Sequence, residues 1–476
     1  MRILVLAERL SNDPWLPEAL AWSLLGELAE RGHSITLACD AAEEPARLTA
    51  MGILPRQRDR FCYRKQPKLG PLARWLRRTD QRLAGSHDAV LSLSWLCTAD
   101  VWMPIGPTAM TQLLNATRRF DLRGRLPRML CGDAVYGDTK VVPSVLRRGL
   151  AEYLARTRSD RIARLSGIVV HSEAAAADAR RLVSELISEL ASRSQSRAGA
   201  PSAASTDSPN TRIENDVQRP MPSAARCKVI NARACGTGAG DAAARSVVSG
   251  GNGSRLSPMA GAELRNWMRA QLGIGPGETV ALVPRMNRID RITLALFEAA
   301  GRQRGPHKPV RLLVVCPDPF AVSRNAAAVG CTLLTTVAPT HRFEALLLAC
   351  DVGVLVDAPA KRPFFAGSAH RAAADFLRRS RPVLCLAGTG AAELIGPVAE
   401  RAAGVVLPAG DLPSWHKALA TAADPSWRIS AGVTARATAD VFGLSPATLA
   451  VEVERALATA GRQRQARREL AGVGGR

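Results

Sequence analysis

Short apolar runs, each followed by a stretch with helical periodicity, recur in two separate parts of the chain. Arg2–Ala7 is a β-type run. Glu18–Arg31 then puts Leu20, Trp22, Leu25 and Leu28 on neighbouring turns of a helix, Gly32 stands where a C-terminal cap belongs, and His33–Cys39 begins the next strand. Ala89–Leu93 and Gly167–His171 are further strand candidates, with helical patterns over 140–163 and 174–190. The alternation restarts with a helix over Ala262–Leu272. Strand candidates follow at Val280–Pro284, Val310–Cys316, Thr332–Val337, Val352–Val356, Pro382–Leu386 and Gly404–Leu407. Helical patterns at Thr293–Arg302, Phe343–Leu348, Ala372–Arg378 and Leu412–Ala422 lie between them. Strands alternating with helices must be joined by crossovers, which produces parallel sheets. The expectation is an α/β chain of two Rossmann-like domains facing across a cleft, with a ligand at the carboxyl ends of the strands.

The organisation expected is a first domain over 1–190, a flexible low-complexity insertion over 191–260 at the domain switch, a second domain over 261–461, and a basic tail over 462–476. The insertion is rich in Ser, Ala, Gly and Pro and poor in large apolar residues, so it lacks the material for a core. Cys227–Asn231 reads as a brief strand within it.

The chain has 476 residues, 47% hydrophobic, which excludes wholesale disorder. Aromatics are 4%, too few for a base-stacking design. The ten cysteines are scattered without a C-x-x-C pair, several of them inside apolar runs as at Cys316 and Cys350. They read as buried free thiols in a reducing cytoplasm, with no zinc signature. MRILVLAERL is too short and wrongly flanked for a signal peptide, and no window approaches a bilayer span.

Net charge is +22, from 64 Lys and Arg against 42 Asp and Glu. Residues 54–86 carry a net +8 and 118–164 a net +7, so most of the excess sits in the first half. In PLARWLRRTDQRL an apolar stripe of Leu72, Trp75, Leu76 and Leu83 is flanked by arginines. That pattern suits an interfacial helix on anionic lipid, and equally core packing with snorkelling arginines. An anionic partner is expected. Helix-turn-helix, zinc-finger and RNP signatures are missing, so nucleic acid is not the expected one.

A Walker loop and an intact G-x-G-x-x-G are both missing. Pro284–Arg291 (PRMNRIDR) directly follows the first strand of the second half. Its arginines could give a diphosphate bidentate hydrogen bonds, or be a solvated turn. Leu386–Gly396 (LAGTGAAELIG) follows a strand and opens a helix. Gly388 and Gly390 allow close approach of a phosphate or sugar hydroxyl to the helix N-terminus, though a ligand-free turn explains them as well.

These segments resemble the retaining GT-B glycosyltransferases of family 4. RPVLCLAGTGAAELI is similar to their GRPVV–GG–PE segment, ERGHSITLAC to their second strand, and GIVVHSEAAAADARRL to their last N-domain strand and helix. VPRMNRIDRITLALFEAA is similar to the segment in which an Arg and a Lys hold the diphosphate, and CKVIN to the strand before the domain switch. Leu72–Leu83, Asp88–Ser94 and Ala99–Trp102 are similar to stretches of the lipopolysaccharide core glucosyltransferases.

The resemblance implies a nucleotide-sugar co-substrate, expected to be a UDP-sugar, no other cofactor and no metal. It makes the first domain the acceptor domain and the second the nucleotide-sugar domain. The donor would be bound by Arg285, Arg291, Gly367, Asp375, Gly388, Gly390 and Glu393. Asp375 matches the second acid of the family's paired-glutamate signature, while Gly367 falls where the first should be. Asp100 and Asp375 are the catalytic candidates, and Glu18 and Asp100 the acceptor contacts. Asp100 could instead be a polar residue starting a helix, Glu18 an exposed first-turn carboxylate, and Glu393 a solvated helix residue. The implied activity is retaining transfer of a hexose to a cell-surface glycan or glycolipid, as in lipopolysaccharide biosynthesis, at the inner face of the cell membrane. The glycine at 367 leaves a catalytically weak nucleotide-sugar-binding or scaffold protein as the alternative.

Overall fold

The computed structural model describes residues 1–7, 9–10, 18–39, 41–42, 60–65, 84–93, 99–103, 165–171, 228–231, 261–284, 286, 289–304, 306–336, 343–356, 367–396 and 402–473, with scattered helical positions between 173 and 188. Outside them fall most of the expected 191–260 insertion, the 72–83 and 140–163 helical patterns, and all of the two basic stretches except 60–65 and 84–86.

The first half forms β1 (Arg2–Leu6), β2 (Arg9–Leu10), α1 (Glu18–Glu30), β3 (Ser34–Cys39), β4 (Ala41–Ala42), β5 (Phe61–Lys65), β6 (Ala89–Ser92), β7 (Val101–Trp102), β8 (Gly167–Val170) and β9 (Lys228–Asn231). Seven of these strands make one parallel sheet in the order β5-β3-β1-β6-β7-β8-β9. β1, β6 and β8 are buried on both faces, the signature of a parallel strand. β5 was not expected. It lies in a basic stretch and alternates, with Phe61 and Tyr63 packed on the core and Cys62 and Arg64 exposed, as an edge strand does. β7 has only two residues, too few for a periodicity to register.

The second half forms α2 (Gly261–Gln271), β10 (Val280–Val283), α3 (Arg291–Gly301), β11 (Arg311–Val315), α4 (Pro319–Ala328), β12 (Leu334–Thr336), α5 (Phe343–Ala349), β13 (Val352–Leu355), α6 (Gly367–Leu377), β14 (Val383–Leu386), α7 (Gly390–Ile395), β15 (Gly404–Leu407), α8 (Leu412–Ala423), α9 (Pro425–Val441) and α10 (Pro446–Val473). Its six strands are parallel in the order β12-β11-β10-β13-β14-β15. Four helix starts are written locally. Asp290, Asp318, Asp411 and Asp424 each accept a first-turn backbone N–H, and a proline follows in the last three. The order reverses between β10 and β13, which opens a crevice at their carboxyl ends.

The largest departure from expectation is the last helix. The basic tail expected from 462 is the end of α10, which runs unbroken to Val473. Leu449, Val453, Ala456, Leu457 and Ala460 form a helical stripe buried not in the second domain but against α1 of the first. Each buried leucine there contributes about 2 kcal/mol. Arg31 Nε donates to Glu454 Oε2 at 2.6 Å, and Ser166 Oγ to Gln463 Oε1 at 2.7 Å, along the same seam. The chain therefore crosses back and straps the two halves together.

Candidate functional site

In each sheet the loops that leave the strands gather at the carboxyl edge. Glu173 follows β8 in the first domain, and Glu393 stands in α7, which follows β14 in the second. The Glu393 carboxylate accepts the Glu173 backbone N–H at 2.6 Å. Since both residues leave strands at their carboxyl ends, the two sheets turn those ends toward each other at this point.

Several expected residues collect on the second domain's carboxyl edge. Gly388, at φ +73, forms the turn after β14 in a conformation that L side chains rarely adopt. Gly390 opens α7. The N-cap residue Thr389 makes no side-chain bond to that helix, because its Oγ donates to the Leu386 carbonyl at 2.7 Å instead. The first-turn N–H groups are thus left without a side-chain cap. Arg291 is the exposed first residue of α3, after the Asp290 cap, which accepts from Thr293 N at 2.9 Å. Asp411 lies near enough for Arg291 to help hold its carboxyl below the usual range, the Ser414 hydrogen bonds being the stronger cause. Gly367 opens α6 on the far side of the β10–β13 crossover. Glu18 opens α1 at the carboxyl edge of the first sheet. Arg285 lies outside the described residues.

Asp375 is closed. It is 2% exposed, eight residues down α6 from Gly367, roughly 12 Å along the axis, and its Oδ1 lies 3.5 Å from Arg379 Nη1. α6, which carries it, packs on α7. The helix sits tightly because Phe376 rests on Gly353 of β13. A Cβ there would lie 2.5 Å from the ring.

Asp100 is elsewhere. It precedes β7 and so stands at the amino edge, the opposite end of the sheet from Glu18 and Glu173. Its Oδ2 accepts the Val90 N–H at 2.8 Å and pairs with Arg464 Nη2 of α10 at 3.0 Å. A strand follows Asp100 where a helix start was the alternative expected. The carboxylate is consumed in fastening the last helix to the first sheet, and two residues of strand separate it from the carboxyl edge.

Glu173 was missed. The signal was present, in the HSE that ends the GIVVHSE run, but nothing in one sequence says that its backbone meets a residue 220 positions away. Among the described residues no group of three His, Cys, Asp or Glu side chains could hold a metal ion, and no helix is long and apolar enough to cross a membrane.

No protein-family model matches the chain, and no curated protein matches it in sequence. Solved structures do. The chain is similar to WaaG, a glycosyltransferase involved in lipopolysaccharide biosynthesis, with a TM-score of 0.56 and 12% identity over 96% of this chain and 99% of that one. HepE from Anabaena, solved in complex with UDP, gives 0.52 and 13% over 96% and 100%. A UDP-forming α,α-trehalose-phosphate synthase from Burkholderia vietnamiensis gives 0.52 and 11% over 98% and 99%. The shared property is the fold: this chain has the GT-B architecture, two Rossmann-like domains facing across a cleft.

Proposed function

We propose that the chain is a retaining glycosyltransferase that moves a hexose from a nucleotide-sugar, a UDP-sugar first among the candidates, to a glycan or glycolipid acceptor of the cell surface. The observation that carries this reading is the meeting of the two carboxyl edges at Glu173 and Glu393, with Arg291, Gly388 and Gly390 on the same edge as Glu393. The fold neighbours add weight, since they include glycosyltransferases and a UDP complex.

In this reading the leaving diphosphate is stabilised by charge alone. Arg291 and Arg285 supply guanidinium donors, and the uncapped first turn of α7 supplies N–H groups at the positive end of its dipole. Gly388 lets the backbone come close. Glu393 and Asp375 are the acids for the donor's hydroxyls, Asp375 after Arg379 gives way. Glu18 is the acid on the acceptor side. Residue 367 brings no carboxylate, so charge at the reacting carbon must be met by other groups. The basic first domain suits a phosphorylated acceptor at the inner face of the membrane.

The glycine at 367 supports a second reading, a protein that binds nucleotide-sugar with little or no turnover and serves as a scaffold. Offering the full chain a panel of UDP-, GDP- and ADP-sugars separates the two. Release of nucleoside diphosphate upholds the enzyme, and saturable binding without hydrolysis or transfer upholds the scaffold. Failure to bind any of them overturns both.

A further inference from the structure

The amino edge of the second sheet, on the far side from the glycine turn, carries an open pocket of about 720 Å³. One wall is α9, the other the turn between α6 and β14. The two come together because residue 432 is glycine. A Cβ on Gly432 would stand 2.8 Å from the Ser380 carbonyl oxygen. Ser380 itself is held at φ 56, the one left-handed non-glycine residue among those described.

Three arginines line the pocket, each held by carbonyl oxygens through one guanidinium Nη. Arg381 Nη2 donates to Leu348 O at 3.1 Å, and Arg436 Nη1 to Arg378 O at 2.9 Å. Arg428 Nη1 donates to Ala422 O at 2.8 Å and Ala423 O at 2.7 Å. Carbonyls fix the direction of a guanidinium without cancelling its charge. Two carboxylates, Asp351 and Asp440, also line the pocket and offset only part of the charge. Asp351 is bound by Arg265 at 2.6 Å and Arg269 at 3.3 Å and also accepts the Val280 N–H, and Asp440 pairs with Arg436 at 3.2 Å. Five arginines thus share two acids. Among the described residues the buried Nε of Arg381 has no acceptor, and burial pushes the pKa of that group down. A cation kept part-dry with a spare donor is costly unless an anion meets it.

The outer lip has the opposite character. Ile429 and Val433, one turn apart on α9, are 71% and 68% exposed. Two aliphatics standing in water beside a cluster of preorganised arginine forks match a ligand with both an anionic and an apolar part.

We propose that this pocket binds an anionic amphiphile, its phosphate received by Arg381, Arg428 and Arg436 and its apolar portion laid along Ile429 and Val433. The site lies at the opposite edge of the sheet from the donor residues, so it does not rest on the glycosyl-transfer reading. The phosphate can come from a free amphiphile or from a lipid in a bilayer.

Calorimetric titration of the full chain distinguishes the possibilities. The probes are dihexanoyl phosphatidic acid below its micelle concentration, the uncharged dihexanoylglycerol, and inorganic phosphate. Saturable binding of the phosphatidic acid is expected, at least tenfold tighter than phosphate and absent for the neutral lipid. Arg436→Gln and Val433→Asp, both exposed and checked for an unchanged melting curve, should each weaken it tenfold or more. Flotation with phosphatidylcholine vesicles containing phosphatidic acid identifies the source. Capture that Val433→Asp abolishes assigns a bilayer lipid, and monomer binding without capture assigns a free amphiphile. The proposal is overturned by any of three results: no saturable binding of phosphatidic acid, phosphate or neutral lipid binding as tightly as it does, or both variants binding like the parent.

Discussion

The carboxylate of Glu393 and the backbone N–H of Glu173 lie 2.6 Å apart, although they belong to different domains. An exposed hydrogen bond of this kind is worth about 1 kcal/mol. Glu393→Ala should therefore loosen the closed arrangement and raise the radius of gyration in solution scattering. The same change should weaken UDP binding by about tenfold if Glu393 also contacts the donor. An unchanged radius would show that the strap of α10 alone sets the domain spacing.

Asp100 and Arg464 form a largely buried pair between β7 and α10, their side chains 12% and 19% exposed. Removing one partner leaves a dry, uncompensated charge. Arg464→Gln and Asp100→Asn should each cost about 3 kcal/mol of stability, visible in a denaturant titration. Neither should alter the affinity for nucleotide. A selective loss of turnover in a fully stable Asp100→Asn protein would restore the catalytic assignment.

His33 joins the same seam. Its Nε2 is 3.0 Å from Glu454 Oε1 and its Nδ1 is 3.3 Å from the Met1 amino nitrogen, an arrangement that suits the neutral ring. Burial, the largest cause, lowers the histidine pKa below its ordinary 6.5. The folded state therefore binds the proton less readily than the unfolded one, and stability is lost as pH falls through and below 6.5. Glu454, held below 4.5 chiefly by the Arg31 hydrogen bond, adds a second loss at lower pH. Between pH 7.5 and 5.5 the melting temperature should fall, and His33→Gln should flatten that dependence. An equal slope in the variant would place the sensitivity elsewhere.

Gly353 and Phe376 set the seat of α6. A methyl at 353 would stand 2.5 Å from the Phe376 ring, so the ring or helix must shift and Gly353→Ala should destabilise by about 1–3 kcal/mol. Since α6 carries Gly367 and Asp375, weaker nucleotide binding should accompany the loss. Gly353→Ala combined with Phe376→Leu should recover part of both, measured by melting and by titration with UDP.

Much of the second domain was legible because each element is announced locally. Apolar runs of four or five residues bounded by turns mark β10, β11, β13, β14 and β15, and aspartate caps stand before α3, α4, α8 and α9. α4 and α9 were still missed, since their buried faces are small residues such as Ala326, Gly432 and Ala435 that carry little periodicity. β5 and β7 were missed for the reasons of edge alternation and brevity. The glycine turn of the candidate site was readable from spacing, as was the Arg291 position after β10.

What the sequence determined by itself was therefore the alternation of strand and helix, its restart near residue 261, and the turn chemistry that places glycines and an arginine after particular strands. Those properties are local, fixed by side-chain period and by φ, and need no distant partner. The tertiary structure alone decided that α10 returns to the first domain, that Glu173 meets Glu393, and that Asp100 pairs with Arg464. Each joins positions more than 200 residues apart, or, in α10, joins a stripe to a partner that many apolar faces could supply. Hydrophobic burial is non-directional, so a stripe says that it must be covered and not by what.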